Sequence, residues 1–163
     1  MHRIYLPPLN RAFEPGDVTY VSSLEGAAAV AAAPATGSKP DAPSEFGGTQ
    51  KVMLHVETGD LREGVPLEDL LQVAGGIVAE RRLRLLGVST NYACFHGPSD
   101  GIRRSVEAVA MAARALCQAG IRVERVSGGN SSLLALVLAG ESLPDEITEL
   151  RCGEALLLGQ EAL

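Results

Sequence analysis

Apolar and polar positions change period repeatedly along this chain. Short β-branched runs alternate with longer stretches in which apolar residues recur every three or four positions. Val18–Ser22 (VTYVS) reads as a strand. The Ala-rich stretch Ser23–Ala33 follows as a helix, with Ser22 or Ser23 at its N-cap. Lys51–Glu57 (KVMLHVE) is a second strand, with His55 in its middle. Leu67–Glu80 is a helix whose Leu67, Leu70, Leu71, Ala74 and Ile77 share one face, with Pro66 suited to its first turn. The Gly75–Gly76 pair weakens this helix without ending it. Leu83–Ser89 is the next strand, and Ile102–Ala119 is the clearest helix, stopped by Gly120 at C′. Arg122–Ser127 and Ile147–Arg151 read as further strands, with an apolar helical stretch, Leu133–Ala139, between them. Residues 34–50 collect Pro, Gly and Ser, which predicts a flexible loop inside one domain spanning residues 1–163.

Strand, loop and helix thus alternate about five times. That alternation predicts an α/β fold, a parallel sheet with crossover helices, either doubly wound or a barrel. The polar, Gly-rich segments TGDLREG, TNYACFHG, SGGNSS and RCGEALLLG each follow a strand. In both architectures ligands bind at the carboxyl ends of the strands, so these four loops predict one site on one face.

Composition narrows the partners. The 163 residues carry 14 Lys+Arg against 20 Asp+Glu, a net charge of −6, which argues against nucleic acid. Aromatic residues are 4% with no Trp, too few for a base-stacking surface. No apolar run approaches the ~20 residues of a membrane span, and the N-terminus has no secretory apolar region. Three irregularly spaced cysteines make no disulfide framework, so a cytoplasmic location is expected. Only two lysines, Lys39 and Lys51, stand against twelve arginines. Lysine chemistry therefore has two candidates at most.

Within the loops, SGGNSS offers two glycines, two serine hydroxyls and a following helix, which suits a phosphate or, equally, a tight turn with a Ser/Asn cap. Arg62, among Asp60 and Glu63, is either a clamp for a substrate carboxylate or a surface ion pair. Arg151 ends an apolar stretch, so Glu154 or a ligand must satisfy it. His55 is a core histidine or an acid–base group, and His96, in a Gly-flanked loop, is placed to titrate near neutrality. Cys94 and Cys152 lie near strand ends, as an acid–base pair or as small buried hydrophobes. No His/Cys/Asp/Glu spacing predicts a metal.

Taken in order, LHVETGDLREG, GVSTNYACFHG, VSGGNSSLL and LRCGEALLLG resemble the pyridoxal-phosphate-dependent racemases of the alanine racemase superfamily, and within it the alanine/ornithine branch. The resemblance runs from about Leu6 to Glu161. It implies a (β/α)₈ barrel with the cofactor at the carboxyl ends of the strands. It places Ser127, Gly128, Gly129, Asn130 and Ser131 at the cofactor phosphate, with Gly153 and Glu154 beside it. It places Arg151 opposite the pyridine nitrogen, Asn91 and Tyr92 along the ring, and Arg62 on the substrate side. Several relatives carry a lysine where His55 stands, which implies that His55 points into the barrel.

The lysine that anchors the family's cofactor lies on a first barrel strand that nothing here matches. Lys39 falls in the 34–50 loop, and Lys51 begins a strand at the end away from the cofactor. The family's C-terminal β domain is unmatched too. The expectation is therefore a partial (β/α) barrel of about five parallel βα units, completed by a complementary chain or by homo-oligomerisation. Its implied chemistry is α-proton exchange on an amino acid, basic side chains such as ornithine being favoured by the branch resemblance, with His55, His96 and Cys94 as the candidate catalytic groups. The alternative is a repurposed or non-catalytic fold that binds a phosphate ligand without a covalent anchor.

Overall fold

The computed structural model describes residues 18–33, 49–92, 99–153, 155, 157 and 159. Strand β1 (Thr19–Val21) leads through Ser22 and Ser23 into helix α1 (Leu24–Ala32). Ser23 is the N-cap, its hydroxyl accepting the Gly26 N–H at 3.0 Å and satisfying one of the first turn's unpaired donors. At the other end of α1, the Gln50 Nε2 donates to the carbonyls of Val30 (2.7 Å) and Ala33 (3.0 Å). Gln50 is therefore the first residue of β2 (Gln50–His55) and a cap for α1, not the last residue of a loop. The rest of the expected loop, 34–48, lies outside the described residues.

A 3₁₀ turn at Leu67–Asp69 precedes α2 (Leu70–Ala79), which runs through Gly75–Gly76. Its buried stripe is narrower than the spacing predicts. Leu70, Ala74 and Ile77 are buried, whereas Leu67 and Leu71 are exposed. Strand β3 (Leu83–Ser89) has the expected bounds. Helix α3 (Ser99–Gln118) starts three residues earlier than expected and buries Ile102, Val106, Val109, Ala113 and Leu116 at helical spacing. It closes at Gly120 in a Schellman pair: Ile121 N–H to Leu116 C=O (2.9 Å) and Gly120 N–H to Cys117 C=O (3.0 Å). Strand β4 (Arg125–Ser127), a 3₁₀ turn (Ser131–Leu133) and the short α4 (Leu134–Leu138) follow.

The four strands pair in parallel in the order β1-β2-β3-β4. Val21, Val52, Leu54, Val88 and Val126 share one buried cluster with Ala27 and Val30 of α1, Leu70, Ala74 and Ile77 of α2, and Val109 and Leu116 of α3. All three helices thus cover the same face of the sheet. One-sided cover is the arrangement of a barrel wall, whereas a doubly wound sheet is covered on both faces. The molecule is a partial (β/α) barrel.

Two strand predictions are corrected. Arg122–Ser127 shortens to Arg125–Ser127 because β3 carries an extra residue: Val52 pairs with Leu85, but Met53 pairs with Gly87. The ladder between β3 and β4 starts only after this bulge, at Gly87–Arg125. Ile147–Arg151 contributes a single bridge, Ser127–Glu149, rather than a strand. There the Thr148 hydroxyl takes the Val126 N–H (2.9 Å), and the Thr148 and Glu149 N–H groups both turn onto the Val126 carbonyl (3.0 and 3.2 Å). A side chain replaces a ladder bond, and pairing is reduced to the Ser127–Glu149 bridge, with Gly128 N–H on the Glu149 carbonyl (3.0 Å) and Arg151 N–H on the Gly129 carbonyl (2.9 Å).

Candidate functional site

The carboxyl ends of the central strands carry a row of buried polar residues in register. His55 ends β2, Ser89 ends β3 and Ser127 ends β4, and the pairings run His55–Ser89 and Ser89–Ser127. His55 is not mid-strand, as the sequence suggests. The loop after β2 folds straight back, so that Val65 N–H bonds the His55 carbonyl (2.8 Å) and Glu57 N–H bonds the Val65 carbonyl (2.9 Å).

A polar chain crosses these strand ends. His55 Nδ1 shares a hydrogen with Ser89 Oγ at 2.9 Å, and His55 Nε2 lies 3.9 Å from Glu63 Oε1. Glu63 accepts the Asn91 Nδ2–H (2.9 Å). The Asn91 Oδ1 accepts from Arg151 Nη2 at 2.5 Å, and the same nitrogen donates to the Thr90 carbonyl at 2.5 Å. Thr90 is buried, its hydroxyl meeting Thr58, which also reaches Ser105 of α3 at 2.5 Å.

Arg151 meets three groups among the described residues. Its partners are Thr90, Asn91 and the Tyr20 ring, with the guanidinium carbon 4.7 Å from the ring centroid. Among the described residues its buried Nε has no hydrogen-bond partner, and neither has Ser127 Oγ. Burial lowers the guanidinium's affinity for its proton, against the opposing pull of Tyr20, Glu63 and Glu149. Glu154, the expected partner, lies outside the described residues.

The SGGNSS segment builds the turn that its residue types allow. Asn130 caps the 3₁₀ turn, its Oδ1 accepting the Ser132 N–H (3.3 Å) and the Ser132 hydroxyl, while its Nδ2 donates to the Tyr92 carbonyl (2.9 Å). Gly129 has φ +128°, a conformation that favours glycine. Ser131 is buried and accepts the Ala155 N–H at 3.4 Å. Gly128 sits against Ile147 and Leu133, where an added Cβ would come within 3.0 Å of both side chains. A Cβ added at Gly153 would meet no atom of the described residues within 4 Å. Arg62 is exposed and pairs with Asp60 (3.1 Å) and Glu63 (3.4 Å), the ion pair of its own loop. His96 and Cys94 lie outside the described residues. Cys152 is half-buried. Among the described residues no group of three His, Cys, Asp or Glu is placed to hold a metal ion, and no helix is long and apolar enough to cross a membrane.

Burial, and after it the Arg151 charge, push the His55 imidazole down from 6.5 to about 4, against Glu63 and Glu57, which pull it up. The folded state therefore binds this proton more weakly than the unfolded state. The stability that comes from a neutral His55 is complete above pH 6.5 and is lost as the pH falls towards 4, with a slope of up to about 1.4 kcal/mol per pH unit. Chemical denaturation at a series of pH values should show that slope in the native chain and not in His55→Gln. Equal slopes in the two proteins would place the imidazole in water.

Sequence reasoning missed Tyr20, Glu63, Ser89 and Thr90. Ser89 and Thr90 were legible as the polar residues that end an apolar strand. Tyr20 had no such signal.

A half-barrel wall with a half-buried arginine and a polar row at its strand ends is the candidate site, at the end of the sheet where barrels of this type bind ligands. The family model for the alanine racemase N-terminal domain matches residues 6–161, and the chain belongs to that family, which is pyridoxal phosphate-dependent. It is 35% identical over 114 residues to an ornithine racemase from Acetoanaerobium sticklandii, covering 68% of this chain and 31% of that protein. It is 32% identical over 111 residues to a lysine racemase from Thermotoga maritima, covering 68% and 30%. Among solved structures, D-threo-3-hydroxyaspartate dehydratase from Delftia sp. HT23 matches with TM-score 0.61 and 28% identity over 85% of this chain and 35% of that one. Alanine racemase from Corynebacterium glutamicum shares the fold at TM-score 0.58 and 22% identity, over 85% and 34%. The chain spans about a third of the length of these relatives.

Proposed function

We propose that this chain forms the cofactor-holding part of a racemase site for a basic amino acid, with pyridoxal phosphate as the cofactor. The observation that carries the reading is the half-buried Arg151, fixed by Thr90, Asn91 and Tyr20 at the carboxyl ends of parallel strands, its buried Nε unpartnered among the described residues. An unpartnered buried donor favours a ligand acceptor beside it. Ser127 Oγ offers a second such group, and the Gly128–Ser131 turn offers backbone to a phosphate. The residues present thus fit the non-covalent contacts of the cofactor.

In this reading Arg151 would hold the ring nitrogen, and Ser127 to Ser131, with Gly153 and Glu154, would hold the phosphate. The chemistry such a cofactor would supply is an electron sink for the α-carbon of a bound amino acid. His55, neutral at pH 7 and linked to Ser89 and Glu63, takes and returns the proton at Nε2. Cys94 and His96 are the remaining proton-carrying candidates. Arg62 receives the substrate carboxylate. Three carboxylates in the same loop, Glu57, Asp60 and Glu63, suit a substrate with a cationic side chain, in keeping with the ornithine and lysine racemases among the relatives. Closing the barrel takes strands beyond the four described, from a second copy or a complementary chain.

One observation favours the alternative, a site that holds its phosphate ligand without a covalent bond. Lys51 is exposed near the start of β2, four residues and roughly 13 Å of strand from His55. Equilibrium dialysis of the chain with pyridoxal phosphate tests the main reading, alongside light scattering for oligomeric state. Saturable binding of one cofactor per site is expected, in a dimer or larger assembly. Absence of binding at millimolar cofactor would remove the reading.

A further inference from the structure

Tyr20 belongs to none of the motifs, yet it contacts the group on which the site turns. It lies on β1 opposite Met53, about 130 residues before Arg151 in the chain. Both side-chain hydrogen bonds of Arg151 leave from Nη2. They tie that end of the guanidinium to Thr90 and Asn91, while the Nε edge has no hydrogen bond among the described residues. The guanidinium carbon lies over the Tyr20 ring, 4.7 Å from its centroid, so the ring face backs the whole group.

We infer that Tyr20 is a positioning residue: its ring face backs Arg151 and holds the Nε–H edge where it meets an acceptor atom of a flat heteroaromatic phosphate ligand. The inference rests on the function proposed above. The ring face carries the effect, not the hydroxyl, so phenylalanine should serve as well as tyrosine.

The probe is 4-deoxypyridoxine 5′-phosphate, which has the cofactor's ring and phosphate but no aldehyde, so no lysine enters the measurement. Equilibrium dialysis gives its Kd, and its near-ultraviolet absorbance against pH gives the protonation of its ring nitrogen while bound. Tyr20→Phe should match the native chain in both readouts. Tyr20→Leu should bind about three- to tenfold more weakly, the range that a cation–π contact supports. Its bound-ring titration should also move towards that of free probe. Tyr20→Met, which keeps volume without a flat face, carries the same comparison if Tyr20→Leu does not fold. Native-like binding and titration in Tyr20→Leu or Tyr20→Met would overturn the inference and leave the proposed function standing. Loss in Tyr20→Phe equal to that in Tyr20→Leu would overturn it too, by assigning the effect to the hydroxyl. No binding of the probe to the native chain would overturn the proposed function, and this inference with it.

Discussion

Gly87→Ala is expected to cost the fold at least about 3 kcal/mol, enough to leave much of the chain unfolded at 37 °C. Gly87 follows the extra residue in β3 and has φ +157°. A Cβ there would sit 1.8 Å from the Arg125 carbonyl oxygen and 2.9 Å from its carbonyl carbon. Both atoms are backbone, so no rotamer change relieves the clash. Relief requires moving β4, which breaks the Gly87–Arg125 pairing and the 2.7 Å bond from Glu124 N–H to the Leu86 carbonyl. Urea denaturation followed by far-ultraviolet circular dichroism measures the loss. A change below about 1 kcal/mol would mean that β3 and β4 do not approach this closely. Because β4 ends in Ser127, any variant that survives should carry a displaced site.

The same bulge shows why parts of this fold were legible and others were not. β3 is bounded by an apolar run and by turn residues, so its limits follow from local pattern alone. The bulge leaves no mark on that pattern, and the length of β4 depends on it. Ile147–Arg151 has the apolar content of a strand, but pairing is decided by where Thr148 puts its hydroxyl. His55 appears mid-strand until the returning Val65 ends the strand beside it.

The site divides in the same way. Its loops follow from the alternation of elements, because parallel strands bring their carboxyl ends together. The described partners of Arg151 do not, because Thr90, Asn91 and Tyr20 lie 61, 60 and about 130 residues away in the chain. The residue types of SGGNSS suit a turn or a phosphate equally. Asn130 builds the turn, and the turn presents Ser127 and the backbone around Gly129 at the strand ends.

Arg151→Met should separate site from scaffold. It keeps much of the length and apolar stem and removes the guanidinium. Binding of the aldehyde-free probe should fall about 10- to 100-fold, the loss expected of one hydrogen bond from a charged donor. Stability should move by no more than about 1.5 kcal/mol, because two changes oppose each other. The Thr90 carbonyl and Asn91 Oδ1 lose a donor, while the cost of burying a cation disappears. Loss of more than about 3 kcal/mol with binding unchanged would assign Arg151 to the scaffold instead. Arg151→Lys makes the stricter comparison. It keeps the charge, but an ammonium on a flexible stem has no plane to lay on Tyr20 and no Nε–H edge to present. If planar geometry sets affinity here, the lysine variant should bind as poorly as the methionine variant. Native-like binding by Arg151→Lys would show that a positive charge at this strand end is sufficient.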